Sequence, residues 1–407
     1  MTAVQSANDD LLDPDLIDNP FPYYRELRES RPVHWNERWR GWIVASYDDV
    51  YAGLHDPRML ADTVTPYFQT RLSAEERERF SLTYEVLNSW SVFVDPPKHT
   101  RLRKIFSRSF TPKSVETMRR VVEHFVDEFL TAWQGRDDID LIDEFGLLMP
   151  ANVIATIIGA PSSDLYRFHR WSSLLNELLH GGVGNPQRMD EAQQAIIEFK
   201  DYLHSLYQER LKKPRDDMMS WLMEVQRTDP EMSPDEVLYS CMLMLNAGHE
   251  TTQILLGNTL ASLLASPDQL LRIRDESGLV KGAIEECLRY NGPMKGTMRV
   301  TSEDLRIRDV PVKQGDRVML LMASANRDPS KFENPDRLDI TRFPNPHLAF
   351  GHGIHFCLGA PLARLEVEIA LREMVKRFPR LSLAGEIRYR PRILSRSIAA
   401  PMLLSVA

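Results

Sequence analysis

The residue with the clearest chemical potential is Cys357, which lies in a glycine-rich segment, FGHGIHFCLG, at positions 350–359. Three glycines within nine residues allow the backbone to bend sharply and to lie flat against a large planar group. The cysteine stands just ahead of a predicted helix, and amide groups at a helix start favour the charged thiolate. A single thiolate suits haem iron, because the porphyrin already supplies four nitrogen ligands. The residues by themselves also allow a buried structural cysteine followed by a helix.

A second candidate site is the run AGHETT at positions 247–252, inside a long apolar segment. Gly248 within a helix costs roughly 1 kcal/mol relative to alanine, which the close approach of a flat ligand would offset. Thr251 can bond back to the carbonyl four residues earlier or release it to water. Glu250 is an ionisable group among apolar residues, so its burial requires a reason. Without other evidence, the run also fits a satisfied polar kink.

Taken together, these runs resemble the motifs of the cytochrome P450 family. The pattern F-G-x-G-x-H-x-C-x-G is matched at every position, and A-G-x-E-T-T and then E-x-x-R precede it in the family's order. The likeness extends over nearly the whole chain. It implies a haem-thiolate monooxygenase of the soluble bacterial type, with haem b (iron protoporphyrin IX) as its cofactor.

The resemblance also assigns roles to individual residues. Cys357 is implied as the axial iron ligand, while Thr251 and Glu250 form an acid–alcohol pair. In that pair the alcohol stabilises bound dioxygen, and the acid helps to deliver protons. The residues implied at the haem are His99, Arg103, Ala247, Gly248, Arg299, Phe350, Gly351, His355, Cys357 and Gly359. Four of them are implied as propionate contacts: His99 and Arg103, four apart on one predicted helix, Arg299 and His355.

The implied substrate pocket is lined mainly by apolar side chains. Its predicted members are Trp90, Val94, Leu178, Leu243, Met244, Met294, Thr297 and Leu394. Such a lining indicates a lipophilic small-molecule substrate. Lys295 departs from the apolar residue common in its region, and we expect it in solvent, with pairing to a substrate carboxylate as the alternative. The glycine-rich segment 180–185 is predicted to be a lid loop.

Two charged groups have predicted roles outside the chemistry. Glu286 and Arg289 lie three residues apart on one helix face, and the resemblance joins them to Arg337 in a structural network. Between positions 98 and 113 there are six basic residues and no acidic one, namely Lys98, Arg101, Arg103, Lys104, Arg108 and Lys113. We expect this segment to dock an acidic electron donor of the ferredoxin or flavodoxin type, because the chain contains no flavin or nicotinamide motif.

The elements that must position these groups are mostly helices. Apolar spacing predicts nearly continuous helix from 112 to 257, and Ser233 should cap a helix of about thirty residues that ends before Pro267. Strands are predicted at 33–35, 41–45, 297–301, 305–307 and 317–322, and a last helix from about 358 to 378. We therefore predict a mainly α, P450-type fold, as one domain over 1–407 with small β-sheets near both ends.

Composition narrows the class of protein further. The 407 residues carry a net charge of −8, which disfavours a nucleic-acid partner, and three isolated cysteines argue against a disulfide framework. The acidic N-terminus has no signal-peptide pattern, and the longest apolar stretch contains Asn246, His249, Glu250 and Asn258. We therefore expect a cytoplasmic protein without a membrane anchor.

Three functions are compatible with these motifs. The favoured one inserts an oxygen atom from O2 into the substrate by hydroxylation or epoxidation. A peroxide-driven peroxygenase or an oxidative bond-coupling enzyme on the same fold is the second, and the Glu250–Thr251 pair disfavours a dedicated peroxygenase. An inactive haem-binding domain is the third, against which the presence of Cys357, Glu250 and Thr251 argues.

Overall fold

Helices predominate in the computed structural model, which describes residues 10–179 and 185–406. The helices are α1 Pro14–Asp18, α2 Phe21–Ser30, α3 Tyr47–His55, α4 Val64–Arg71, α5 Ala74–Arg79, α6 Ser81–Leu87, α7 Lys98–Phe106, α8 Pro112–Thr131, α9 Leu148–Ile158, α10 Leu165–Glu177, α11 Pro186–Lys212, α12 Met218–Thr228, α13 Pro234–Leu264, α14 Pro267–Asp275, α15 Val280–Asn291, α16 Met322–Ala325 and α17 Ala360–Arg377. The strands are β1 Val33–Asn36, β2 Gly41–Val44, β3 Met59–Leu60, β4 Asp138–Asp140, β5 Thr297–Thr301, β6 Leu305–Ile307, β7 Val310–Val312, β8 Arg317–Leu320, β9 Ser382–Leu383 and β10 Leu403–Ser405. The predicted α-rich fold with small sheets is confirmed.

One compact unit contains the described residues up to 61, together with 254–357 and 379–405. Its main sheet has the strand order β1-β2-β8-β5-β3. The β1–β2 hairpin is antiparallel, with Val33 opposite Val44, while β2 runs parallel to β8. Val44, Val318 and Leu320 are fully buried in the apolar cluster on this sheet. The unit therefore has its own core, against which the loop containing Cys357 is held.

The second unit contains the described residues within 62–253, together with 358–378 and Val406. Here α8 packs on α9 and α17, and α10 packs on α11. The fully buried Arg210 donates to Asp217 and to the carbonyl of Gly159, at 2.6 Å in both cases. Gly159 ends α9 in the left-handed region, at φ +91°. This buried contact fixes α9, on which part of the long helix α13 rests.

Helix α13 confirms the long helix expected from the sequence, with 31 residues. Its first turn is capped by the Ser233 hydroxyl, which accepts from the amide of Glu236 at 3.1 Å. The border between the two units falls inside this helix, between Gln253 and Ile254. The single domain over 1–407 therefore stays a prediction.

Smaller differences concern the ends of elements. The strand predicted over 317–322 ends at Leu320, and α16 begins at Met322. The predicted lid loop lies outside the described residues except for Asn185, whose side chain caps α11 by accepting from the amide of Gln187 at 3.1 Å. None of the helices within residues 10–179 and 185–406 combines the length and the apolar character that a bilayer crossing requires.

Candidate active site

The loop around Cys357 is a closed turn. The amide of Cys357 donates to the carbonyl of Phe350 at 2.9 Å, and Gly351 and Gly353 adopt left-handed φ values of +68° and +72°. Any other residue would be strained at these two positions, so the glycines are required by the backbone. The Cys357 side chain is half-buried. A single cysteine side chain is therefore presented at the end of this closed turn.

The same loop is held against helix α3 by a pair of histidines. A β-carbon on Gly353 would lie 2.7 Å from the carbonyl oxygen of Leu54, so only glycine permits this approach. Nδ1 of His352 accepts from the Gly353 amide and lies 2.9 Å from Nε2 of His55. Burial and the neighbouring His55 lower the pKa of His352. His352 occupies a variable position of the motif, and sequence reasoning gave it no role.

Helix α13 is largely buried, but at its centre some residues are accessible to solvent. Leu243 and Leu255 are 4% and 1% exposed, whereas Ala247 is exposed and Thr251 is half-buried. The Thr251 hydroxyl donates to the carbonyl of Ala247 at 2.9 Å, which confirms the back-bond that the sequence allowed. Since the two residues are four apart, they lie on one face of the helix. This face therefore combines free space with a hydroxyl group.

Two further residues of the AGHETT run have structural explanations. A β-carbon on Gly248 would lie 3.0 Å from Cγ1 of Ile154, so α9 is a close neighbour of this glycine. A contact between Gly248 and the cofactor stays a prediction. His249 is buried, its Nδ1 lies 2.9 Å from the carbonyl oxygen of Leu245, and burial lowers its pKa. Glu250, which follows His249, is half-buried.

The predicted propionate contacts divide between the two units. His99 and Arg103 lie one turn apart on α7. His99 is buried, and this burial together with the Arg103 charge lowers the pKa of His99. Arg299 on β5 is buried, and its Nη1 donates to Oγ1 of Thr297 at 3.0 Å and to the carbonyl of Met298 at 2.8 Å. His355 is half-buried and lies in the short turn just before Cys357. Their contacts with a cofactor stay predictions.

The predicted pocket residues also fall into two groups. Those in the second unit, Trp90, Val94, Leu178, Leu243 and Met244, are buried. Those in the first unit, Met294, Thr297 and Leu394, are half-buried. Met294 forms a bridge with Ser395, so its segment lies beside that of Leu394. The expectation of Lys295 in solvent is wrong, because it is 4% exposed and its Nζ donates to the carbonyl of Arg392 at 2.8 Å.

The structural network around E-x-x-R differs from the prediction in one member. Glu286 and Arg289 form a fully buried ion pair at 2.7 Å, as expected. The second arginine on Glu286 is Arg342, with Nε 3.1 Å from Oε2, whereas Arg337 is exposed and contributes its backbone carbonyl to Arg289. The prediction of Arg337 as the side-chain partner is therefore wrong. Both arginines lie in coil, which has no repeating geometry, so the sequence could not show which of them contacts Glu286.

The basic segment also needs a correction. Arg101 is 19% exposed and forms ion pairs with Asp229 at 3.3 Å, Glu231 at 3.1 Å and Glu236. Its charge stabilises the start of α13 and is not available to a partner. Four other basic residues of the segment are exposed: Lys98, Lys104, Arg108 and Lys113.

Comparison with known proteins decides the family. The family model described as Cytochrome P450 matches residues 68–386. The chain belongs to the cytochrome P450 family. This P450 is 40% identical over 403 residues to Cytochrome P450 107B1 of Saccharopolyspora erythraea, covering 95% of this chain and 96% of that one. It is 37% identical over 380 residues to the Biotin biosynthesis cytochrome P450 of Bacillus subtilis, covering 93% and 94%.

A solved structure extends the likeness to three dimensions. The P450 matches the crystal structure of P450BioI in complex with hexadec-9Z-enoic acid ligated acyl carrier protein, with a TM-score of 0.90 and 35% identity. The match covers 97% of this chain and 100% of that one. The protein is accordingly a cytochrome P450 monooxygenase, an oxidoreductase with haem as its cofactor.

The residues of this P450 fit a haem group. A β-carbon on Gly359 would meet nothing within 4 Å, and one on Gly351 only a carbonyl oxygen at 4.0 Å, so open space borders both positions. The half-buried Cys357 thiol is the kind of soft ligand that a haem iron takes. On α13, the open face at Ala247 and Thr251 leaves room at the helix surface. Thiolate, glycine backbone and open helix face are each suited to a large planar group.

Proposed function

We propose that this P450 inserts one oxygen atom from O2 into a lipophilic small molecule, by hydroxylation or epoxidation. For hydroxylation the balance is RH + O2 + two electrons + two protons giving ROH and water. The electrons come from a separate donor. The observation that carries the proposal is the Thr251 hydroxyl, bonded to the Ala247 carbonyl on the open face of a buried helix, with Glu250 directly before it.

Each residue then has a defined task. Cys357 would hold the haem iron through its sulfur, and the haem, when bound, would supply the activation of dioxygen. Thr251 holds a proton at Oγ1, and Glu250 resupplies it from the next position of the helix. His99, Arg103, Arg299 and His355 bind the haem carboxylates.

The substrate class is supported by apolar residues and by one relative. The buried Trp90, Leu243 and Met244 provide apolar surface, and apolar pockets bind lipophilic ligands. P450BioI has been crystallised with a carrier-bound hexadecenoic acid. A lipophilic chain is therefore the first substrate class to test.

The electron donor is inferred from charge. Lys104, Arg108 and Lys113 are exposed cations in a chain whose net charge is −8. A local positive surface attracts an acidic protein electrostatically. We propose a ferredoxin-type or flavodoxin-type donor, a cytoplasmic location for the pair, and no nucleic-acid partner.

The test uses the haem-loaded protein. Lipophilic compounds are first screened for the spin-state change that follows displacement of iron-bound water, and a hit is then turned over under ¹⁸O₂ with a ferredoxin and its reductase. We expect one labelled oxygen per product molecule. Turnover supported by peroxide but not by reduced donor would replace the proposal with a peroxygenase. Cys357→Ala is the control, and it should abolish the thiolate-type spectrum of the reduced carbon monoxide complex.

A further inference from the structure

Lys295 is a buried cation with one hydrogen bond. Its side chain is among the most enclosed charged groups of the first unit, with 4% of the residue exposed. Nζ donates to the carbonyl of Arg392 at 2.8 Å, and Lys295 takes part in no ion pair among the residues that the structure describes. An ammonium group carries three N–H donors, so one carbonyl does not satisfy it. A buried charge in this condition is costly unless a counter-charge is supplied.

A neighbouring positive charge increases this cost. Burial and the positive Arg396 lower the pKa of Lys295 to about 7. Arg396 is itself buried, and its guanidinium donates to the Asn291 side chain at 2.8 Å and to the carbonyls of Ile17 and Asp18, both at 2.9 Å. Its bonds are thus made to uncharged oxygens. Two buried cations share this region, and the ammonium of Lys295 retains unused donors.

The position of Lys295 connects it with the predicted substrate pocket. The Lys295 amide donates to the carbonyl of Leu394 at 2.7 Å, and Met294 bridges to Ser395. Met294 and Leu394 are half-buried and flank the lysine on the two segments that it joins. Lys295 therefore lies on the segment that contains Met294 and is hydrogen-bonded to the segment that contains Leu394, and both of these residues are predicted to contact substrate.

We propose that Lys295 anchors a carboxylate group of the substrate, whose oxygens accept the remaining N–H donors of the ammonium. The inference rests on the proposed function and specifies the substrate as a lipophilic acid. A single ammonium beside apolar residues suits a small monoanion at the end of a hydrocarbon chain. Oxidation would then occur on the chain at a distance from its acid group.

The test compares an acid with neutral molecules of the same chain. Tetradecanoate, methyl tetradecanoate and tetradecan-1-ol are titrated into the haem-loaded protein, with the spin-state change as the readout. At pH 6.5 the acid should bind about 10- to 100-fold more tightly than the ester, the range expected for one charge-assisted hydrogen bond. Lys295→Met, which keeps an unbranched side chain one atom shorter and removes the ammonium, should remove this preference. Lys376→Met, at an exposed lysine, is the matched control and should retain it.

The pH dependence distinguishes an anchor from a merely structural lysine. Above pH 7 the free amine is neutral, so affinity for the acid should fall as pH rises to 8.5, by at most tenfold per unit, while ester binding stays flat. If Lys295→Met does not load haem, this titration of the wild-type protein still shows whether Lys295 anchors the acid. Equal affinity for acid and ester, or a preference that survives in Lys295→Met, would overturn the anchor. Donor-dependent oxidation of the ester by the wild type tests the monooxygenase function independently.

Discussion

Thr251 shows how a local hydrogen bond defines a chemical role. Its hydroxyl donates to the Ala247 carbonyl, so the lone pairs of Oγ1 remain able to accept a bond on the open helix face. An alanine at this position keeps the helix but removes the hydroxyl. The contribution of Thr251 should therefore be visible in coupling and not in folding.

We predict that Thr251→Ala loses product by about tenfold or more per electron consumed, because positioned proton transfer contributes rate factors of that size or greater. Hydrogen peroxide should rise correspondingly. Product, peroxide and donor oxidation are measured together in one assay. Thr251→Ser retains the hydroxyl and should stay mostly coupled, whereas full coupling in the alanine variant would remove Thr251 from proton delivery.

His352 makes the thiolate loop sensitive to acid. Its pKa lies below the ordinary value of about 6.5, so between these two values the unfolded chain binds the proton that the folded loop does not. Stability is therefore unaffected above pH 6.5 and decreases as pH falls below it. We expect faster loss of the thiolate-type carbon monoxide spectrum at pH 5.5 than at pH 7. His352→Asn keeps an acceptor for the Gly353 amide and should flatten this dependence; an unchanged profile would contradict it.

For single residues, a contact could be predicted from the sequence when its two partners lie close together in the chain. The Thr251 back-bond joins residues four apart and was predictable from side-chain chemistry. The buried Lys295 ammonium donates to the carbonyl of Arg392, 97 positions away, and no local sequence pattern predicts this contact.

Among the elements, helix α15 and the coil after α16 are joined by one carboxylate. Glu286 is fully buried and accepts from Arg289, from the amide of Asp339 at 2.9 Å, from Arg342 and from Asn345 at 3.2 Å. The i,i+3 pair within α15 was predictable because helix geometry places Glu286 and Arg289 side by side. The coil partners were not, since coil has no repeating geometry.

The two coil arginines provide a matched experiment. Arg342→Ala should lower the free energy of unfolding by about 1–3 kcal/mol, because it removes charged donors from a buried carboxylate. Arg337→Ala should stay within about 0.5 kcal/mol of the wild type, since that side chain is exposed. Urea denaturation followed by the haem signal measures both. Equal destabilisation would show that the Arg337 side chain also supports the network.

For the whole molecule, charge distribution is the main property relevant to partners. The net charge is −8, yet Lys104, Arg108 and Lys113 are exposed within ten positions of one another. Since Arg101 is used internally, a docking surface consists of the exposed cations only. Such a surface accelerates association most when few ions screen it.

We predict that Lys104→Glu combined with Arg108→Glu slows reduction by a ferredoxin at low ionic strength, and that the difference shrinks at about 0.5 M salt. Stopped-flow reduction of the carbon monoxide-saturated protein gives the rate. Lys212→Glu with Lys213→Glu changes the net charge equally at another exposed site and should have a smaller effect. Equal slowing in the two variants would indicate a general charge effect and no local docking.

The order of motifs and the helix-rich pattern predicted the fold of the whole molecule. The division into two units was not predictable, because it falls within the uninterrupted helix α13 and no Gly- or Pro-rich linker marks it. Helical periodicity reports the exposed and buried faces of one element. It carries no information on where contacts between elements become sparse.

The Glu286 carboxylate has a consequence for how the coil after α16 unfolds. The coil around 334–345 forms no regular pattern of backbone hydrogen bonds. The Asp339 amide nevertheless donates to the carboxylate of Glu286, which belongs to α15. The proton on that amide can exchange with solvent deuterium only after Glu286 moves away. An irregular segment thereby acquires the exchange lifetime of a helix, and the two should open to solvent in the same event.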